Sequence, residues 1–126
     1  MTGETILVVE DDGLIALYLT ELLEKTGYRV GSASSGEMAI GSLKESPAPD
    51  LILMDIGLAG SLDGIETLRE IRKQVSIPAI FITAYTSPAI LERIQEVRPD
   101  GYIVKPFMDN DLLALVRKTL DQRGPL

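Results

Sequence analysis

Residues 51–57 read Leu-Ile-Leu-Met-Asp-Ile-Gly (LILMDIG): four apolar residues run straight into a carboxylate, Asp55, with a glycine two places on. A continuous apolar run of this length suits a strand covered on both faces, the condition of a parallel sheet. In sheets of that kind ligands meet the protein in the crevice beyond the carboxyl ends of the strands. The strand therefore delivers an acid to the edge where chemistry is done.

Outward from this stretch the pattern alternates. Thr5–Glu10 (TILVVE), Tyr28–Ala33, Pro78–Thr83 (PAIFIT) and Tyr102–Val104 read as four further strands. Gly13–Thr26 predicts a helix with an apolar stripe of Ile15, Tyr18 and Leu22, reaching Lys25 and widened by Leu14, Leu17 and Leu23, and Gly27 closes it. Ser35–Glu45 and Asp63–Lys73 predict two more helices. Ser87-Pro88 marks a helix entry, a cap residue followed by proline, and Asp111 is the expected cap of a last helix. Five strands alternating with five helices predict an α/β protein, a doubly wound sheet of five parallel strands with helices on both faces.

Composition sets the bounds. The 126 residues suffice for one domain, expected over 1–126 with a core at about 4–121 and a tail at 122–126. A 45% hydrophobic and 25% charged make-up is ordinary for a globular protein, and no apolar stretch is long enough to span a bilayer, so a cytoplasmic location and no membrane partner are expected. There is no cysteine and no histidine, which removes disulfides, thiolate chemistry, imidazole bases and the usual zinc sites. The net charge is −7 with scattered basic residues, which argues against direct nucleic-acid binding.

The other strand ends repeat the Asp55 arrangement. The first strand ends in Glu10-Asp11-Asp12, the fourth in Thr83, the fifth in Lys105-Pro106. Taken singly each has a plain structural use: Asp12 as a helix cap, Thr83 as a strand former, Lys105 as a loop residue. Their joint placement at one edge points to a site. If Glu10, Asp11 and Asp55 stand about 5 Å apart, each like-charge pair costs roughly 3 kcal/mol at an effective dielectric near 20, more than one lysine offsets. The cluster must hold a proton or a cation. Oxygen ligands without His or Cys favour magnesium, which leaves room for a phosphoryl oxygen.

ILVVEDD, LILMDIGL…DGIE, FITAY and GYIVKPF, in this order and over nearly the whole chain, resemble the receiver domain of two-component response regulators. The resemblance implies a flavodoxin-like (βα)5 fold and a switch phosphorylated by a histidine kinase or phosphotransfer protein. It makes Asp55 the phosphoacceptor, Asp11 a direct Mg2+ ligand, Glu10 a neighbour acting mainly through water, and Gly57 a backbone carbonyl ligand. It makes Thr83 and Lys105 the phosphoryl contacts and Tyr102 the aromatic that changes rotamer on activation. It also implies a cis Lys105–Pro106 bond. A downstream protein would read the surface of the fourth helix, fifth strand and fifth helix, and a homodimer stays open. The protein would be no enzyme beyond catalysing its own Mg2+-dependent phosphorylation and dephosphorylation.

Two departures from the family pattern stand out. Between Asp55 and Asp63-Gly64 the stretch IGLAGSL is one residue longer than usual and lacks the usual proline, which predicts a looser loop. Gly57 and Tyr85 occupy the positions flanking the path of attacking water, and Tyr85 is expected to screen the phosphoryl group and slow its loss; faster dephosphorylation of Tyr85→Ala checks this. GSASSG, residues 31–36, lacks the lysine and spacing of a P-loop and is read as a helix-capping turn. Two competing readings are a receiver-fold scaffold that works without phosphorylation and a small flavodoxin-like enzyme or nucleotide binder. The first has no need of the full acid, Thr and Lys set; the second lacks a phosphate-cradling loop. Only Gln122–Leu126 follows the last helix, so a stand-alone regulator and a receiver cut from a longer regulator or hybrid kinase both remain open.

Overall fold

A computed structural model of the chain describes residues 3–45, 47–84 and 86–122. In chain order the elements are β1 (Thr5–Val9), α1 (Gly13–Thr26), β2 (Arg29–Ala33), α2 (Gly36–Glu45), β3 (Leu51–Asp55), α3 (Gly64–Arg72), β4 (Ala79–Thr83), α4 (Pro88–Val97), β5 (Gly101–Val104) and α5 (Asp109–Gln122). All pairings are parallel and the strand order is β2-β1-β3-β4-β5. Every residue of β3 and β4 is buried, whereas β2 and β5, at the edges, carry exposed positions.

The two-residue period of the strands sorts the core into two layers. Ile6, Val8, Leu51, Leu53, Ile80 and Ile82 face α1 and α5 through Leu19, Leu23, Leu112, Val116 and Leu120. Leu7, Val9, Ile52, Met54 and Phe81 face α2, α3 and α4 through Ala39, Ile65, Leu68, Ile71, Ile94 and Val97. Burying a side chain such as Leu53 or Phe81 completely contributes about 2–3 kcal/mol each. The chain winds outward from β1 to β2 on one side and from β3 to β5 on the other, so the topological switch lies between β1 and β3.

The helix ends follow local chemistry. Asp12 caps α1, its Oδ1 accepting from the Leu14 and Ile15 amides, and Gly27 ends it in the left-handed region at φ 111°. Ser87 caps α4 ahead of Pro88, and Ser35 Oγ accepts from the Met38 amide at the start of α2, so GSASSG is a capping turn. Asp63 and Glu66 form a capping box on α3. Gly64 is needed because a Cβ there would overlap the Asp55 carbonyl.

Two expectations change. The buried stripe of α1 is Leu19 and Leu23 with Ile15 and Leu22 half-buried, while Leu14, Leu17 and Tyr18 are exposed. The helix is apolar on more than one face, so periodicity alone did not choose the inward side. Asp111 is not the cap of α5: the Met108 carbonyl already accepts from the Asp111 and Leu112 amides, and Asp111 sits in the first turn. In the stretch after Asp55, Ile56 and Leu58 are buried in the α2–α3–α4 layer, while Ala59, Gly60 and Ser61 are exposed.

Candidate functional site

Glu10 stands one residue beyond β1, Asp55 ends β3, and Lys105 stands one residue beyond β5. Strand alternation carries all three to the same side of the sheet: Glu10 follows Ile6 and Val8, Asp55 follows Leu51 and Leu53, Lys105 follows Ile103. The Lys105 Nζ consequently lies 3.4 Å from Asp55 Oδ2 and 3.6 Å from Glu10 Oε1. The second separation is a charge contact and not a hydrogen bond. Glu10 Oε1 is buried without a hydrogen-bond partner among the described residues. The Lys105–Pro106 bond is cis.

One carboxylate oxygen from each of Glu10, Asp11 and Asp55 lies within 4.8 Å of the others. At that separation each like-charge pair costs about 3 kcal/mol at an effective dielectric near 20. Glu10 is 3% exposed and Asp55 9%, while Asp11 is open to solvent. The strain shows in the proton affinity of Glu10. Burial, opposed by the Asp12 amide and reinforced by the Asp55 charge, raises its pKa from 4.5 to about 7, and Lys105 only partly counters this.

Three backbone amides soften the cluster. The Asp12 N–H donates to Glu10 Oε2 at 3.1 Å, and the Gly57 N–H to Asp55 Oδ1 at 3.1 Å. The Ala59 N–H donates to Asp11 Oδ2 at 3.1 Å across 48 positions of sequence. None of these amides could be read from residue types. The Ala59 contact traces to the stretch after Asp55, whose unusual length was its only signal.

Thr83 is buried at the end of β4, and its carbonyl accepts from the Lys105 amide at 2.8 Å, which ties the hydroxyl residue and the lysine to one edge. Tyr102 lies on β5, paired with Phe81, and is 44% exposed. Gly57 is exposed, with Asp55 Oδ1 3.9 Å from where its Cβ would lie. Tyr85 lies outside the described residues. The structure thus brings together Glu10, Asp11, Asp55, Lys105 and the end of β4, and leaves Tyr102 on the flanking surface. Another contact unseen in the sequence joins this edge to α1, where the Tyr18 hydroxyl donates to Asp109 at the start of α5.

Fold and edge cluster together define a receiver-type module, an acid-lined site at the β1/β3 switch of a five-stranded parallel sheet. The chain belongs to the response regulator receiver domain family, which it matches over residues 6–117. It is 35% identical to the transcriptional regulatory protein PdtaR of Mycobacterium tuberculosis over 112 residues, 88% of this chain and 54% of that protein. It is 37% identical to the probable transcriptional regulator ycf27 of Guillardia theta over 119 residues, 94% of this chain and 46% of that protein. The chain spans about half the length of these curated relatives.

Among solved structures, the N-terminal domain of a response regulator/sensory box/GGDEF three-domain protein from Carboxydothermus hydrogenoformans superposes with a TM-score of 0.88 at 37% identity, covering 95% of this chain and 96% of that one. The receiver domain of a sensor histidine kinase from Pseudomonas aeruginosa superposes with a TM-score of 0.85 at 31% identity, covering 95% and 99%, and that structure has a magnesium ion coordinated in its active-site cleft. The chain is therefore a receiver domain of the response-regulator kind, the class that serves two-component signalling. No helix among the described residues is long and apolar enough to cross a membrane.

Proposed function

We propose that this receiver accepts a phosphoryl group on Asp55 from a phosphohistidine of a kinase or phosphotransfer protein, with Mg2+ bound at the acids. The single observation that carries the reading is the convergence of Glu10, Asp11 and Asp55 oxygens within 4.8 Å beside the Lys105 ammonium. The donor set fits a hard divalent cation: it is all oxygen, and a buried Glu10 oxygen has no hydrogen-bond partner among the described residues. Asp11 and Asp55 would hold the ion with the Gly57 carbonyl, and Glu10 would act through water. When bound, Mg2+ supplies charge neutralisation for the acids and for phosphoryl oxygens.

The chain's own groups account for the rest. Asp55 is the nucleophile: its carboxylate attacks phosphorus in line, the P–N bond to the donor imidazole breaks, and an aspartyl phosphate forms. The Gly57 N–H at Asp55 Oδ1 and Lys105 at Oδ2 orient the carboxylate before attack. Lys105 then pairs with the phosphoryl oxygens, and Thr83 turns its hydroxyl toward them. Water later attacks the phosphorus, the bond to the Asp55 oxygen breaks, and inorganic phosphate leaves the regenerated carboxylate, so the protein acts on no substrate beyond its own phosphoryl group. Gly57 offers no side chain to screen that water.

Signal output follows from the same contacts. Movement of Thr83 toward the phosphoryl group draws the start of the β4–α4 connection with it, and Tyr102, half-exposed on β5, turns inward. The α4–β5–α5 surface then takes a second arrangement that a downstream protein reads. Incubation with a small phosphodonor such as phosphoramidate tests the reading by intact mass. A gain of one phosphoryl group that requires Mg2+ and vanishes in Asp55→Asn is expected. No gain, or an equal gain in Asp55→Asn, would leave the phosphorylation-independent scaffold as the better account.

A further inference from the structure

The three acids are not held alike. Glu10 and Asp55 are buried, and each takes its amide donor from a residue only two places along its own segment, Asp12 and Gly57. Asp11 is exposed, and the only hydrogen bond its side chain accepts among the described residues comes from the Ala59 N–H. An exposed aspartate without such a bond samples several rotamers and must be ordered when it ligates an ion.

The segment presenting Ala59 is itself fixed. Ile56 and Leu58 on its upstream side are buried, and the Leu58 N–H donates to the Ile56 carbonyl at 2.9 Å. Gly60 follows at φ 103°, a left-handed turn beside Glu37 that other residues adopt with strain. Downstream, the Asp63 cap is held by Glu66 and by Arg93 of α4, whose Nη2 lies 2.7 Å from Asp63 Oδ2. The amide thus approaches Asp11 from a braced loop. It uses one oxygen, Oδ2, and leaves the other carboxylate oxygen free to ligate. Ligating carboxylates are commonly steadied in this way by a hydrogen bond from behind.

We propose that the Ala59 main-chain N–H is a positioning group that orders Asp11 for the divalent ion. The added length of the stretch after Asp55 serves to bring this amide to the acid. The inference rests on the Mg2+ reading above, and its test separates the two. Replacing the residue 59 amide by an ester, with lactic acid in place of alanine, removes the N–H and leaves every side chain in place, at the cost of a weaker acceptor at the Leu58 carbonyl. Mg2+ affinity is then read by calorimetry on the full chain without any phosphodonor. The ester is expected to bind Mg2+ about tenfold more weakly, with its circular dichroism unchanged, while an ester at Ser61 binds as the wild type does. In the wild type, the Ala59 amide proton is expected to stay protected from exchange when Mg2+ saturates the site. Equal or tighter binding by the ester, or loss of that protection on Mg2+ addition, overturns the inference while leaving the metal site intact. A wild type that binds no Mg2+ overturns both.

Discussion

Glu10→Gln removes a charge that the fold finds costly. The native pKa of Glu10 is raised from 4.5 to about 7, chiefly by burial. Between those values the native state keeps a proton that the unfolded chain has released. Stability contributed by Glu10 is therefore fully present below pH 4.5, falls as pH rises, and is lost above pH 7. At about 1.4 kcal/mol per pH unit the whole difference is worth at most about 3 kcal/mol. Gln keeps the shape and an acceptor for the Asp12 amide but carries no charge. In chelator, Glu10→Gln should match the wild type near pH 4.5 and exceed it at pH 8 by up to about 3 kcal/mol, on the order of 10 °C in Tm. Urea unfolding followed by circular dichroism at several pH values measures this. Adding Mg2+ at pH 8 should recover stability for the wild type and less for the variant. A stability difference that does not change with pH, or a variant no more stable at pH 8, would refute the claim that the metal-free acids oppose folding.

Two further outcomes follow from the geometry. Lys105→Met withdraws the ammonium 3.4 Å from Asp55 Oδ2, so phosphorylation from a small donor should slow by at least about tenfold, measured by intact mass against time, while Mg2+ affinity is retained or increases. Gly64→Ala drives a methyl into the Asp55 carbonyl and should lower stability by about 1–3 kcal/mol, measured by urea unfolding; an unchanged midpoint would show that the α3 start can shift freely.

The buried strands were the most legible part of the chain. LILM and AIFI are apolar without interruption because both faces of β3 and β4 are covered, the condition of a parallel sheet, in which ligands meet the protein beyond the carboxyl ends of the strands. Acids, Thr83 and Lys105 were legible for the same reason: each interrupts or ends such a run. The inward face of α1 was not, since Leu14, Leu17 and Tyr18 offer the same apolarity to solvent that Leu19 and Leu23 offer to the sheet. Nor was the Ala59 contact, because a main-chain N–H is common to nearly every residue and only the fold says where it points. The raised pKa of Glu10 depends on burial that no local window reveals.

The most direct test locates the phosphoryl group itself. Borohydride reduces an acyl phosphate to an alcohol, converting a phosphorylated aspartate to homoserine. After treatment with phosphodonor and Mg2+, peptide mass mapping should find homoserine at position 55 and at no other acid. Homoserine at Asp11 or Asp12, or none anywhere while Mg2+ demonstrably binds, would contradict the assignment of Asp55 as the acceptor.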